Sequence, residues 1–277
     1  MPGAPPAGYY PGAPANANAG IYAYTTAATP GRPGPYTLPP PPNHQPTVVA
    51  QGVYCHFAKS NFTLQIPDLR IFPSEITYIG GESGSGKTTL LRMLTLEKQP
   101  EGGNIYMMGY NVATLTPDQR DDFRGGGITY IPQGHLGLVD SVTPVETIAR
   151  LLYDYDGIDL AEGERRAEIA LTRARLPRER FRVKVKGLSG GERARVAIAK
   201  AYAAERPLCL ADEILAALDE RNRKAVLDLF QDLAQEGYTV IVVAHQPEMM
   251  NRFHRVIEME RGRIIGDQRY TPVVRGS

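Results

Sequence analysis

Nine consecutive residues constrain this chain more than any others. Gly81-Glu82-Ser83-Gly84-Ser85-Gly86-Lys87-Thr88-Thr89 matches the phosphate-binding pattern G-x-x-x-x-G-K-[ST], which works only between a strand and a helix. Both flanks are present: residues 75–79 are a β-prone run upstream, and Leu90, Leu91, Met93 and Leu94 fall at helical spacing downstream. The glycines let the backbone pass through φ values closed to other residues and turn successive N–H groups toward phosphate oxygens, at the positive end of the helix dipole. Lys87 adds a point charge for the β- and γ-phosphates, and the Thr88 hydroxyl is placed to ligate Mg²⁺. A Gly/Ser turn that merely preceded a lysine would need neither flank. The motif therefore predicts an α/β fold in which a strand leads into Gly81.

The 277 residues suffice for one large domain or two small ones. Residues 1–46 fit neither: they hold 13 of the 23 prolines, five of the 15 tyrosines and a single charge, Arg32. Such a stretch cannot bury enough apolar surface to offset its ordering entropy, and it is predicted to be a disordered arm, stiffest at the prolines of 39–42. No basic start followed by an apolar run marks a signal peptide, and the longest apolar run, 240–244, is far short of the roughly 20 residues a spanning helix needs. The chain is expected to be soluble on its own. A formal net charge of +1 argues against general nucleic-acid affinity. Residues 161–206 nevertheless carry 13 Lys/Arg against six Asp/Glu, which reads as a solvated helical face, with an anionic partner or membrane surface as the alternative. Cys55 and Cys209 are isolated and lack metal-ligand spacing, so neither a disulfide nor a zinc site is expected.

In chain order, residues 48–58 and 61–71 read as a hairpin turning at Lys59-Ser60. Phe57 lies thirty residues before Lys87. It could stack on an adenine or face into the sheet, and Tyr54 takes the stacking role if the register differs. Strands follow at 104–108 and 128–133, the second closing at Gln133, with a charged helix between them near 118–123. From about 134 to 205 the pattern is helical, with helices at 145–153, 161–175 and 190–204. The sheet resumes at 208–213, an apolar run ending in Asp212 and Glu213, and packing does not explain two acids at the carboxyl end of a central strand, where ligands bind in open α/β sheets. A helix at 220–235, a strand at 239–244 ending beside His245, and an edge hairpin at 256–266 complete the pattern.

Leu188-Ser189-Gly190-Gly191-Glu192 opens the helix at 190, and Gly190 lies 22 residues before Asp212. Alone, it reads as an N-cap. With the P-loop, Gln133, Asp212-Glu213, Leu218-Asp219 and His245 in the same order and at fitting separations, the chain resembles the ATP-binding-cassette (ABC) ATPases over residues 48–267. The resemblance implies an α/β P-loop NTPase fold of the ABC nucleotide-binding type: a domain over 47–277 with an N-terminal antiparallel β subdomain and a helical subdomain inserted at about 134–205. Leu210-Ala211-Asp212-Glu213 and the single cassette look most like the lipoprotein-releasing, macrolide-exporting and cell-division ATPases. One stretch departs from the family. Between the catalytic Glu and Leu-Asp the family usually has a proline-containing turn; here Ile214-Leu215-Ala216-Ala217 stands instead.

The resemblance also implies roles. Gly81, Glu82, Ser83, Gly84, Ser85, Gly86, Lys87, Thr88 and Thr89 hold the phosphates of ATP, with Phe57 at its base. Thr88, Gln133 and Asp212 hold Mg²⁺. Glu213 orients or deprotonates the attacking water, Gln133 reaches it, and His245 contacts the γ-phosphate. Two cassettes pack head to tail, so Ser189, Gly190 and Gly191 close the nucleotide site of a second cassette, Asp219 counts among the nucleotide-binding residues, and a homodimer is expected. Lacking a membrane segment, the chain would act peripherally on the cytoplasmic face of the inner or plasma membrane, driving separate integral subunits. The competing reading is a soluble cassette working on a macromolecular assembly, such as iron–sulfur assembly.

Overall fold

A computed structural model describes residues 45–134, 136–245 and 249–272. The arm expected at 1–46 therefore lies, except for its last two residues, outside the described residues.

Two sheets share one interior. β1 (Val48–Phe57) and β2 (Phe62–Ile71) pair antiparallel, joined by a single turn over 58–60 that Asn61 closes with a left-handed φ of 48°. β3 (Ile76–Gly80) leads into the P-loop and α1 (Lys87–Leu94). The chain then returns: β4 (Gly102–Met107) pairs with β1, and β5 (Tyr110–Asn111) with β4, giving the four-stranded order β2-β1-β4-β5. The antiparallel sheet lies in the N-terminal part of the chain, over residues 48–111, as the sequence suggested. It takes strands from both sides of the P-loop because the free side of β1 must be paired, and β4 satisfies it while burying Ile105 and Met107.

The second sheet continues with α2 (Pro117–Gly127), β6 (Ile128–Ile131), α3 (Pro144–Asp156), α4 (Leu160–Arg173), α5 (Gly190–Ala204), β7 (Leu208–Asp212), α6 (Glu220–Gln235), β8 (Thr239–Val243), β9 (Arg255–Glu260) and β10 (Arg263–Arg269). Its order is β10-β9-β3-β8-β7-β6, parallel from β9 to β6, with β10 antiparallel at the edge. Only β10 of the C-terminal hairpin is therefore an edge strand. Every residue of β3, β7 and β8 is buried, as expected where both faces are covered. Alternation divides them: Tyr78, Cys209, Ala211, Val240 and Val242 join one core with residues of α3 to α6. Ile79, Leu208, Leu210, Ile241 and Val243 join the other, with α1 and the antiparallel sheet.

Local chemistry sets the helix starts. Thr116, Thr143, Asp159, Ser189 and Asp219 cap α2 to α6 with side-chain oxygens, and Pro117 and Pro144 follow two of these caps. The basic stretch is met by acids, most of them its own: Glu162 pairs with Arg165 and Arg166, Arg182 with Glu164 and Glu168, Arg180 with Glu192, and Arg173 with the distant Glu236. Cys55 and Cys209 are buried and free.

Candidate active site

The carboxyl ends of four neighbouring parallel strands converge on one edge of the sheet. β3 ends in the P-loop, β8 runs on to His245, β7 ends at Asp212 beside Glu213, and β6 runs on to Gln133. Strands lie roughly 4.8 Å apart, so residues up to 164 positions distant in sequence face one another there.

The loop keeps its shape through backbone that only glycine permits. Gly81 has φ +145°, and a Cβ on it would lie 2.1 Å from the Met259 carbonyl. Gly86 is the left-handed N-cap of α1 and leaves space for Phe62 and Leu64 of β2, each 3.0 Å from where its Cβ would stand. Gly262, in the β9–β10 turn, donates to the Ser85 carbonyl at 2.9 Å and accepts from Gln65 at 2.7 Å, tying the loop to β2. The Lys87 ammonium folds back onto the carbonyls of Gly81 and Glu82, at 2.7 and 2.9 Å. Burial lowers its pKa, opposed by the charges of Glu213 and Asp212. Thr88 is exposed on the first turn of α1.

Opposite the loop stand the two acids of β7. Asp212 is buried, and desolvation raises its carboxyl, helped by the charge of Glu213 and opposed by Lys87 and His245. Glu213 leaves the strand with a left-handed φ of 50°, uncommon for a residue with a Cβ. That backbone turn sends its N–H to the Val243 carbonyl of β8 at 2.8 Å. One carboxylate oxygen accepts from the Gln133 amide nitrogen, and the other meets His245 Nε2 at 2.5 Å. Against a carboxylate this nitrogen carries the proton.

A second group forms around the N-termini of α5 and α6. Ser189 caps α5 in a reciprocal box with Glu192, and Glu192 is held in turn by Arg180 at 2.9 Å. Asp219 caps α6 by accepting from the Asn222 N–H at 2.8 Å, while the Asn222 amide donates to the other Asp219 oxygen at 2.7 Å. Asn222 also fills the space beside Gly191, where a Cβ would lie 2.3 Å from its side-chain oxygen. Ser189, Gly190 and Asp219 are exposed.

The structure thus gathers Gly81–Thr89, Asp212, Glu213, Gln133 and His245 in one place, and Ser189, Gly190, Gly191 and Asp219 in another. Phe57 is half-buried at the end of β1, its ring 5.9 Å from that of Phe62 and covered by the Lys98 ammonium at 4.8 Å. Tyr54 projects from the opposite face and is 39% exposed. The stretch 214–217 holds its turns without proline: Ala216 donates to Glu213 and Leu218 to Leu215, both at 3.2 Å, while Ile214 and Leu215 are buried. Sequence reasoning passed over Phe62, Gly262 and Asn222, and also Tyr130, which lies close enough to Asp212 to favour its charged form. Of these, only Asn222 has a local signal, three residues after a capping aspartate.

The family described as "ABC transporter" matches residues 64–216. The chain is 34% identical over 227 residues to the macrolide export ATP-binding/permease protein MacB of Sodalis glossinidius, covering 81% of this chain and 34% of that protein. It is 34% identical to the pyoverdine export ATP-binding/permease protein PvdT of Pseudomonas aeruginosa, covering 72% and 30%. The chain spans about a third of the length of these relatives. Among solved structures, the dimeric post-hydrolysis state of the ATP-binding cassette MJ0796 bound to ADP and Pi superposes with a TM-score of 0.72 at 27% identity, covering 82% of this chain and all of that one. The cassette cbiO1 of Clostridium perfringens, at 21% identity and a TM-score of 0.73, shares the fold.

Proposed function

We infer from one premise, that this chain belongs to the ABC transporter family, how its residues divide the work of ATP hydrolysis. The chain is an ATPase cassette of that family. The N–H groups of the P-loop and the Lys87 ammonium hold the phosphates, with phosphate oxygens taking the place on Lys87 that the Gly81 and Glu82 carbonyls occupy. Water attacks the γ-phosphorus, the bond to the bridging oxygen breaks, and Glu213 receives the water proton. The observation that carries this reading is the grip on Glu213: Gln133 and His245 hold its two oxygens, so the base is aimed before substrate arrives. When the nucleotide binds, His245 turns its Nε2 proton from Glu213 to the γ-phosphate, which frees that carboxylate oxygen for the water.

Thr88, Asp212 and Gln133 present a hydroxyl, a carboxylate and an amide, all hard oxygen donors suited to Mg²⁺. Asp212, buried beside a second carboxylate and raised by both, is a group that a cation would relieve, so the residues fit this ion. Bound there, Mg²⁺ would neutralise phosphate charge. Phe57 serves the base of the nucleotide.

Ser189, Gly190, Gly191 and Asp219 complete the site of a second cassette, which makes the working unit a dimer; the dimeric MJ0796 structure supports this. Among the described residues no helix is long and apolar enough to cross a membrane. The relatives' names join an ATP-binding part to a permease, which supports a cassette lying on the cytoplasmic face of the inner membrane and driving an export permease there. Glu213→Gln tests the chemistry, because it keeps the shape and hydrogen bonds of Glu213 but removes the base. Turnover should fall by about 10²–10⁴-fold while ATP binding persists and the ATP-bound dimer accumulates. Near-parental hydrolysis would remove Glu213 from this role.

A further inference from the structure

Tyr78 stands in β3, fully buried between Thr77 and Ile79. A hydroxyl in such a place is costly unless it is bonded, and this one donates to the Ala244 carbonyl at 3.2 Å. Ala244 is the single residue between the end of β8 and His245. Gly80 makes the reach possible: a Cβ there would lie 2.4 Å from the Tyr78 ring. Its φ is not positive, so space rather than backbone freedom is what glycine supplies at this position. On another side the ring packs on Phe253, centroids 5.1 Å apart.

The exit of β8 is thereby pinned from both neighbouring strands. From β3, Ile79 accepts from the Ala244 N–H at 3.2 Å and Tyr78 donates to the Ala244 carbonyl. From β7, the Glu213 N–H holds the Val243 carbonyl at 2.8 Å. The next side chain along is His245, which meets Glu213 at 2.5 Å.

We propose that Tyr78 is a positioning residue for hydrolysis: its buried hydroxyl fixes the Ala244 peptide and, through it, aims the His245 ring at Glu213 and the γ-phosphate. The inference rests on the reading of His245 given above. Burial pushes the phenol far above its ordinary pKa, so the hydroxyl remains a donor throughout the working range of the enzyme.

Tyr78→Phe separates this role from packing, since the ring stays and only the hydroxyl goes. In the full-length chain it should lower kcat roughly five- to tenfold, the worth of one buried hydrogen bond, with the KM for ATP unchanged. The ring ¹⁵N shifts of His245 should move while those of His56 stay. In a His245→Ala background the same substitution should leave the residual rate unaltered, because its route is gone. An unchanged kcat, unmoved His245 shifts, or an equal loss in both backgrounds would each overturn the proposal. A His245→Ala chain that hydrolyses at the parental rate would instead overturn the reading of His245, and the ¹⁵N shifts would then decide whether Tyr78 positions the ring at all.

Discussion

The P-loop edge and the corner formed by Ser189, Gly190, Gly191 and Asp219 both expose helix N-termini, but they are built differently. At the P-loop edge the α1 terminus has a glycine cap with no side chain to satisfy its N–H groups, and the surrounding charges, Lys87, Asp212 and Glu213, are crowded and partly desolvated. At the corner, Ser189 and Asp219 satisfy their helices themselves, and Glu192 has its own arginine. The first region is an arrangement with unmet electrostatic demand; the second is complete as it stands and offers a surface. A site made from one of each has its chemistry on one chain and its closure on another, which is the division expected of a head-to-tail dimer.

The largest expected effect tests whether the two regions serve different chains' nucleotides. Lys87→Ala should disable the phosphate loop of its own chain, and Ser189→Arg should block the partner's site with bulk at the α5 terminus, each leaving almost no ATPase activity. Mixing the two variants should restore partial hydrolysis, since one composite site of the pair is then whole. ATP-dependent crosslinking between position 189 of one chain and the P-loop of the other should accompany the recovery. Inactive mixtures with no such crosslink would return Ser189 to an ordinary helix cap.

Two glycines sharpen the contrast at smaller scale. Gly81→Ala would drive a methyl group into the Met259 carbonyl, an immovable strand backbone, in a conformation at φ +145°. Gly191→Ala would first meet a side chain, that of Asn222. Both should destabilise by about 1–3 kcal/mol, but adding Asn222→Ala should recover most of the loss at 191. No neighbouring side-chain truncation should recover Gly81→Ala, and its ATP affinity should fall as well. Thermal denaturation and nucleotide titration of the single and double variants separate these outcomes.

The smallest effect concerns pH at the corner. The Asn222 backbone N–H holds the Asp219 carboxyl below its ordinary value. A depressed folded-state pKa means that the cap's contribution is in place above about pH 3.9, the unperturbed aspartate value, and fades as pH falls through the depressed one. Asp219→Asn caps without titrating. Its denaturant stability should therefore track the parent above that pH and fall less steeply below it; parallel curves throughout would show that the carboxylate contributes nothing there.

Much of the fold was legible because the signals were local. The P-loop announces its strand and helix by glycine spacing and a cationic terminus, α5 starts after the Ser189 cap that the sequence offered, and α6 runs over the residues that the pattern indicated. The carboxylates of β7 stood out because an apolar strand has no packing reason to end in Asp212 and Glu213. The role of the stretch at 214–217 was less legible, since its missing proline is offset by Ile214 and Leu215, whose burial depends on a core built mostly from distant residues.

Charge, capping capacity and the glycine turns of the P-loop could be read from the chain alone, because those properties belong to a residue and its nearest neighbours. Only the tertiary structure decided that β4 pairs with β1, that β9 lies against β3, and that Gly262 closes on the P-loop. It alone brought the Gln133 amide and the His245 ring to the two oxygens of one glutamate. These contacts join segments far apart in the chain, so their energy depends on strand order and register. Tyr78 is the plainest case: in the sequence it is one more β-prone residue, and its hydroxyl acquires a purpose only because Gly80 leaves room and β8 lies alongside.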